Sequence, residues 1–494
     1  MSKTKLGIAA TAALIGAMTA GPSYGQSAAG SDAEIAALKQ QLRLMEQKLD
    51  KLQKQTAANT TAAAKANAKA DAKINRINTA NAGAAIPVKG LAPSDTIVKM
   101  PNNRPTICTA DNLNCISITS RLHFDAGGYD YRPDTALTAP QHAQNGVNAR
   151  RARIGVLGTF AGDWDYGLIY DFGGTQDGTA TLENAYITYK GIKGLYIDGG
   201  YIDVPYTLDE ATGSNNMMFL ERGSSQTIAT AIAGGDNRSA LGGHANGDWW
   251  WVGSYVTGPT SGFVHSNRPP VGATARGLVV PVNNQQGSLL LGADAEFLFD
   301  TGGVTGTNTL STLNDRIEVR IDPGTNALLN TGALINVRGA QVLSGEAAGQ
   351  VGSFYAQGEY FDYRINRLAG LPDLHFNGGY AQASYVLTGE QRKYNPVIGA
   401  YGGINPKNPV RWATGGWGAW EVAARYSQMS LNDLTILGGE LKSTTVGLNW
   451  YVNSNMRFMF DWIHGSVAKT SAAPASNDIG AHYDVFAMRT QVAF

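Results

Sequence analysis

The sequence predicts an all-β fold: a transmembrane antiparallel β-barrel of about sixteen strands, preceded by an N-terminal α-helical coiled coil. Three observations carry this. Short segments of alternating polarity recur through residues 117–494, separated in turn by tight turns and long polar loops. Glycine supplies 60 of 494 residues and tyrosine 21, which suits a twisted sheet with aromatic girdles better than a compact helical enzyme. The last segment sets Phe486, Met488, Thr490, Val492 and the terminal Phe494 on one face and Arg489 and Gln491 on the other. Such a strand offers lipid an apolar face and can close the sheet without a free edge.

At the N-terminus, Lys3, Lys5, the apolar run Leu6 to Ala20 and the small-residue stretch to Gly25 read as a secretory signal peptide over 1–25. Neither that run nor any later apolar stretch is long enough to cross a bilayer as a helix, so a crossing must use strands. Over 26–56 the sequence reads as a periplasmic coiled-coil helix. Ile35, Leu38, Leu42, Met45, Leu49 and Leu52 recur at spacings of three and four, and Ser31 with Glu34 forms a capping-box pattern. So short a coil is marginal alone and is expected to be reinforced by a trimeric barrel; a lone amphipathic helix is the other reading. Residues 57–116, rich in Ala, Asn, Thr and Lys and then in Pro, read as stalk and linker. Within them Cys108 and Cys115 are expected to form a local disulfide in an exported chain, with two free thiols as the alternative.

The barrel, residues 117–494, alternates legibly in several strands. Ile118, Leu122, Phe124 and Ala126 oppose Arg121, His123 and Asp125; Ala152, Ile154, Val156, Gly158 and Phe160 oppose Arg151, Arg153 and Thr159; Phe458, Phe460 and Trp462 oppose Arg457 and Asp461. In the middle of the barrel, strands are expected at 288–299, 308–320 and 335–345. The tight connections at Ala161 to Asp163, Gly191 to Gly194, Asn246-Gly247 and Val452 to Asn455 should share the periplasmic side.

Charge balances overall, 39 basic against 39 acidic, yet residues 31–100 hold 11 basic and 6 acidic while residues 101–494 hold 26 and 33. A basic excess confined to a linker argues against nucleic acid. No histidines stand at metal-ligand spacing, and there is no Gly-Lys-Ser/Thr phosphate loop or Gly-x-Ser-x-Gly elbow. No metal, cofactor or enzymatic activity is therefore expected, although a barrel lipase would leave no local signature.

Several motifs occur together and in order: Arg150-Arg151-Ala152-Arg153, Asp163-Trp164-Asp165-Tyr166 leading to Tyr170-Asp171-Phe172, Phe219-Leu220-Glu221-Arg222, Tyr385-Val386-Leu387-Thr388-Gly389-Glu390, Gly418-Ala419-Trp420-Glu421 and Gly447-Leu448-Asn449-Trp450-Tyr451. From about residue 117 to the end the chain resembles the phosphate- and polyphosphate-selective porins of Gram-negative outer membranes. The resemblance implies a sixteen-stranded trimer whose narrow pore concentrates anions. It matches the family's wall arginine to Arg121, its arginine pair to Arg150 and Arg151 and its constriction acid to Glu183, and it implies that the third external loop, Asp203 to Ala233, folds inward. Two places depart from the family. Leu208-Asp209-Glu210-Ala211-Thr212 has an acid pair where the family has lysine, and Arg316-Ile317-Glu318-Val319-Arg320-Ile321-Asp322 interleaves acids with its arginine ladder.

The expected function is an outer-membrane porin, a passive diffusion channel for small hydrophilic solutes and ions, with anions such as phosphate the permeants that the resemblance implies. Arg121, Arg150, Arg151, Arg153, Glu183, Glu210, Glu221, Arg222, Arg316, Glu318 and Arg320 are the expected pore and constriction residues, the Glu221-Arg222 pair fixing the loop against the wall. Unit charges about 4 Å apart interact by about 1 kcal/mol in water and about 4 at an effective dielectric near 20, so alternating arginines and acids cancel at long range. What remains is a transverse field and a weakly selective pore. The expected partners are two further copies of the chain, outer-membrane lipid and lipopolysaccharide, and peptidoglycan. The competing reading is an envelope spacer, its coil bound to the cell wall and its barrel an anchor.

Overall fold

The structure is a computed structural model of the chain. It describes scattered residues between 36 and 55, Ala92, and Ser94 to Phe494 apart from 136–142, 175–177, 234–236, 262–267, 304–307, 311, 323–326, 412, 414 and 470–478. In the N-terminal unit every described residue between 36 and 55 is helical and exposed. Met45, of the expected seam, is 56% exposed; Ile35, Leu38, Leu42, Leu49, Leu52 and the signal segment lie outside the described residues.

In the second unit, eighteen strands form one sheet. Sixteen make the barrel wall: β1 (Cys115–Thr135), β2 (Gly146–Phe160), β3 (Trp164–Asp171), β4 (Thr181–Ile192), β5 (Leu195–Ile202), β6 (Arg238–Asn246), β7 (Trp250–Thr257) and β8 (Val271–Asn283); then β9 (Gly287–Asp300), β10 (Val337–Val351), β11 (Phe354–Arg367), β12 (Leu374–Val386), β13 (Ala419–Asp433), β14 (Ile436–Tyr451), β15 (Met456–Ala468) and β16 (Ile479–Ala493). Each pairs antiparallel with the next, and β16 closes on β1 from Ile479 opposite Thr135 to Ala493 opposite Arg121. The other two strands, Thr96–Lys99 and Thr106–Thr109, form a hairpin added to the start of β1, inside the stretch read as linker. Cys108 lies directly opposite Cys115 there, and the two are bonded.

The period-two pattern sets the two faces of the wall. His123, Asp125 and Arg489 are buried inward, while Ile154, Phe460 and Phe486 stay exposed outward, where a bilayer replaces water. Near the tight turns, Phe160 stacks on Trp164 and Trp420 on Trp450, as in an aromatic girdle.

Two central expectations need correction. Residues 308–320 are not a wall strand; they belong to the connection 301–336, whose described residues include two short ladders, Thr309–Leu310 with Leu334–Ile335 and Asn314–Asp315 with Leu329–Asn330. Ile317 and Glu318 adopt φ of +54° and +63°, which breaks the strand, and Ile317, Val319 and Ile321 are buried. The alternation was real, but its apolar face meets an interior core instead of lipid. The missing wall strand is β8. Its Pro281 falls in a register shift between Val279 and Val282, where a ladder bond is not needed.

Among the described residues, three connections contribute to the buried clusters of the interior. The connections 203–237 and 301–336 share one buried cluster with the wall, joining Leu220, Ile228 and Ile232 to Ile317, Val319 and Leu329 beside Phe361, Met429 and Tyr483. The third, 387–418, lies on the side of the tight turns and is far longer than expected there; its Ala400 and Tyr401 bury against Leu208, Phe219 and Trp251.

Candidate functional site

Two β-bulges position the charged wall. Opposite His123 and Phe124 of β1, β2 supplies Arg151 and Ala149, leaving Arg150 as the extra residue. Opposite Ile169 and Tyr170 of β3, β4 supplies Asn184 and Leu182, leaving Glu183 as the extra one. A bulge breaks strict alternation. Consecutive Arg150 and Arg151 can therefore both reach the same loop carboxylate, and Glu183 joins Asp171 around Arg153, which lies 2.7 Å from Asp171 Oδ2 and forms an ion pair with Glu183.

That loop, 203–237, carries two helices, α1 (Leu208–Thr212) and α2 (Ser224–Ile232). Its stretch from Met217 to Glu221 is fixed by its main chain to the wall opposite the loop's own strands. Arg457 donates to Met217 O at 2.8 Å, Asn449 to Met218 O at 2.8 Å, Arg489 to Leu220 O at 2.5 Å and Arg425 to Glu221 O at 2.8 Å. Leu220 N in turn donates to Asp461 at 2.8 Å. Backbone groups lifted out of water by a loop that crosses a lumen need such partners.

Glu221 is the hub. Its carboxylate accepts from Arg150 Nε at 2.8 Å and Arg489 Nη2 at 2.9 Å. Arg151 and Arg320 stand 3.8 and 3.7 Å away. Burial alone would raise this carboxyl, but the guanidiniums of Arg150, Arg151 and Arg489 outweigh it and hold it well below the usual carboxylate range.

Several further charges along the inward connections are also paired. Asp209 and Glu210, the acid pair that departs from the family, face Arg222 of the same loop at 3.8 and 3.4 Å. Glu318 accepts from Arg425 at 2.9 Å and from Ser224 N at 2.9 Å, which ties the inward part of 301–336 to the start of α2. Arg320 reaches Asp315 at 3.1 Å, and Arg316 is half-buried on the same connection. From the turn side, Arg392 donates to both oxygens of Glu421 at 3.0 and 2.9 Å.

Of the expected site residues, Arg150, Arg151, Glu221 and Arg320 gather at one point, Arg153 and Glu183 form a second group, Glu210 and Arg222 a third, and Glu318 a fourth with Arg425. Arg121 stands apart, donating to Ser214 Oγ at 2.6 Å. Sequence reasoning missed Arg425, Arg489 and Arg392 as partners, although the inward face of β16 contained Arg489. It also missed Asp294, Glu346 and Glu359, which come within 4.8 Å of one another on β9 to β11. Arg276 of the unrecognised β8 lies against this trio, 2.9 Å from Glu346 and 3.5 Å from Asp294.

Comparison with known proteins adds a family. A sequence profile described as phosphate-selective porin O and P matches residues 116–494. Porin O of Pseudomonas aeruginosa is 24% identical over 429 residues, 78% of this chain and 92% of that protein. An uncharacterized protein of Caulobacter vibrioides is 25% identical over 462 residues, 90% of this chain and 85% of that protein. Among solved structures, a loop L8 deletion mutant of OmpT, an outer membrane protein of Vibrio cholerae, aligns with a TM-score of 0.47 at 10% identity, covering 77% of this chain and 100% of that one.

Proposed function

The chain belongs to the phosphate-selective porin O and P family and is an outer-membrane porin, and from that premise we propose a passive diffusion channel for small hydrophilic solutes and ions whose constriction prefers neither cations nor anions strongly. The observation that carries this reading is the matching of charge along the inward loop: Arg150, Arg151, Arg320 and Arg489 around Glu221, Arg153 with Asp171 and Glu183, Arg222 with Asp209 and Glu210, and Arg425 with Glu318. A permeating ion a Debye length away meets dipoles instead of net charge. The ordered field across the lumen then favours hydrated polar solutes over apolar ones. Asp209 and Glu210 weigh against a site tuned to inorganic phosphate, because a carboxylate repels an oxyanion.

In this reading the chain is exported by a cleaved signal, forms a homotrimer in outer-membrane lipid and lipopolysaccharide, and carries its N-terminal helix as a periplasmic coil. The barrel alone conducts. In planar bilayers the full chain and a variant lacking residues 26–100 are expected to pass the same current in KCl, and added phosphate is expected to leave that current unblocked at micromolar concentrations. Absence of current in both chains would favour the spacer reading, and micromolar block by phosphate would restore the family's substrate.

A further inference from the structure

Arg104, Arg121 and Arg457 differ from the guanidiniums of the constriction in having no carboxylate partner among the described residues. All three line one cavity of about 450 Å³ at the end of the barrel that carries the tight turns, walled by the underside of the inward loop, the connection 387–418, the turn Val452 to Asn455 and the C-terminal residue. Arg457 is 3% exposed, and its Nη2 is buried without a hydrogen-bond partner, as is Nε of Arg104. Arg457 is held in place through Nε to Gln491 at 3.0 Å and Nη1 to Met217 O at 2.8 Å, which leaves one edge of the guanidinium uncommitted. A buried donor without a partner is costly, so this edge calls for a ligand that accepts.

The rest of the lining narrows the ligand. Seven asparagines and Tyr186 share the cavity with the arginines. The side-chain amides of Asn102 and Asn405 make no hydrogen bond among the described residues. An amide offers a donor and an acceptor together and so matches each hydroxyl of a polyol, whereas the charged oxygens of an inorganic oxyanion use donors only. The volume falls in the range of small-molecule sites, about 300–1,000 Å³, and exceeds what a bare phosphate fills. We infer that this vestibule binds a hydroxylated organic anion of monosaccharide size, a sugar acid or sugar phosphate, with its anionic group on Arg457, Arg121 and Arg104 and its hydroxyls on the amides. The inference rests on the channel reading above and names the solute class that the vestibule on the side of the tight turns would hold.

Gluconate added to the periplasmic side of a conducting bilayer tests it, with glucose, acetate and inorganic phosphate as comparisons. Gluconate is expected to reduce KCl current with a half-blocking concentration about tenfold below those of glucose and acetate, the size of effect that one or two hydrogen bonds to charged groups give. Arg104→Gln, at a half-exposed position, is expected to remove most of that advantage. Acetate or phosphate blocking as well as gluconate would overturn the inference, and so would an unchanged response in Arg104→Gln. If the chain passes no KCl current, the channel reading fails separately. Equilibrium dialysis of labelled gluconate against the detergent-solubilised full chain then decides the ligand: saturable binding weakened by Arg104→Gln supports the site, and no binding overturns it.

Discussion

Replacing Glu221 by Gln is expected to raise the channel's preference for anions over cations. After the change Arg489 keeps Asp125, at 2.6 Å, and Arg320 keeps Asp315, at 3.1 Å. Arg150 and Arg151 keep no carboxylate, so the net charge at the inward loop rises by one unit. One uncompensated charge about 8 Å from a passing ion, at an effective dielectric near 40, is worth about 1 kcal/mol, or about fivefold in local concentration. The chloride-to-potassium permeability ratio should therefore rise by at least about fivefold. The loop should stay in place, because its backbone from Met217 to Glu221 is anchored independently by Arg457, Asn449, Arg489 and Arg425. A ratio unchanged from the parent protein would mean that the Glu221 cluster is not where permeating ions are sorted.

The second large effect concerns the connection 387–418. Arg392 and Glu421 are 2% and 0% exposed, and Arg392 also donates to Asn216 O at 2.8 Å, so one side chain fastens the connection to both the wall and the inward loop. Arg392→Met leaves Glu421 buried with Asn449 and Tyr451 but without its cation. Breaking a buried pair in this way costs about 3–5 kcal/mol. The connection is expected to release, and chymotrypsin should cleave at Tyr394 or Tyr401 in the detergent-solubilised protein. Arg392→Met combined with Glu421→Leu should recover much of the protection, since removing both partners avoids the stranded charge. Equal resistance in the parent and the single variant would show that the apolar contacts of Tyr401 hold the connection without the ion pair.

The walls of this protein are legible in its sequence because a strand between lipid and a polar interior has only one pattern available. Ile118 to Asp125, Arg151 to Phe160 and Phe486 to Phe494 follow it, and the structure turns each residue the way the pattern says. The pattern fails where the physics is shared with another situation. Arg316 to Ile321 alternates because an inward connection also has two faces, one toward the interior apolar core and one toward charge. The strand β8 is obscured for the opposite reason: Pro269-Pro270 stand just before it and Pro281 within it, and proline ordinarily interrupts a strand, but a register shift makes the last of them harmless.

The site was partly legible. Phe219-Leu220-Glu221-Arg222 marks the inward loop in the sequence, but the weight of Glu221 depends on Arg150, 71 positions away, and Arg489, 268 away. No local pattern encodes such distances. The same limit hid the pairing of Arg392 with Glu421 and the meeting of Asp294, Glu346 and Glu359. The contribution of the bulges at Arg150 and Glu183 was likewise invisible, because a bulge is a property of two strands in register.

The central claim is that matched charges leave the constriction nearly indifferent to the sign of an ion. The reversal potential of the unmodified channel under a KCl gradient tests it most directly. A potential close to zero, with permeability to potassium and chloride within about threefold of each other, is the predicted result. A potential approaching the chloride equilibrium value would contradict it, because the arginines would then act as though Glu221, Glu183 and Glu318 did not compensate them.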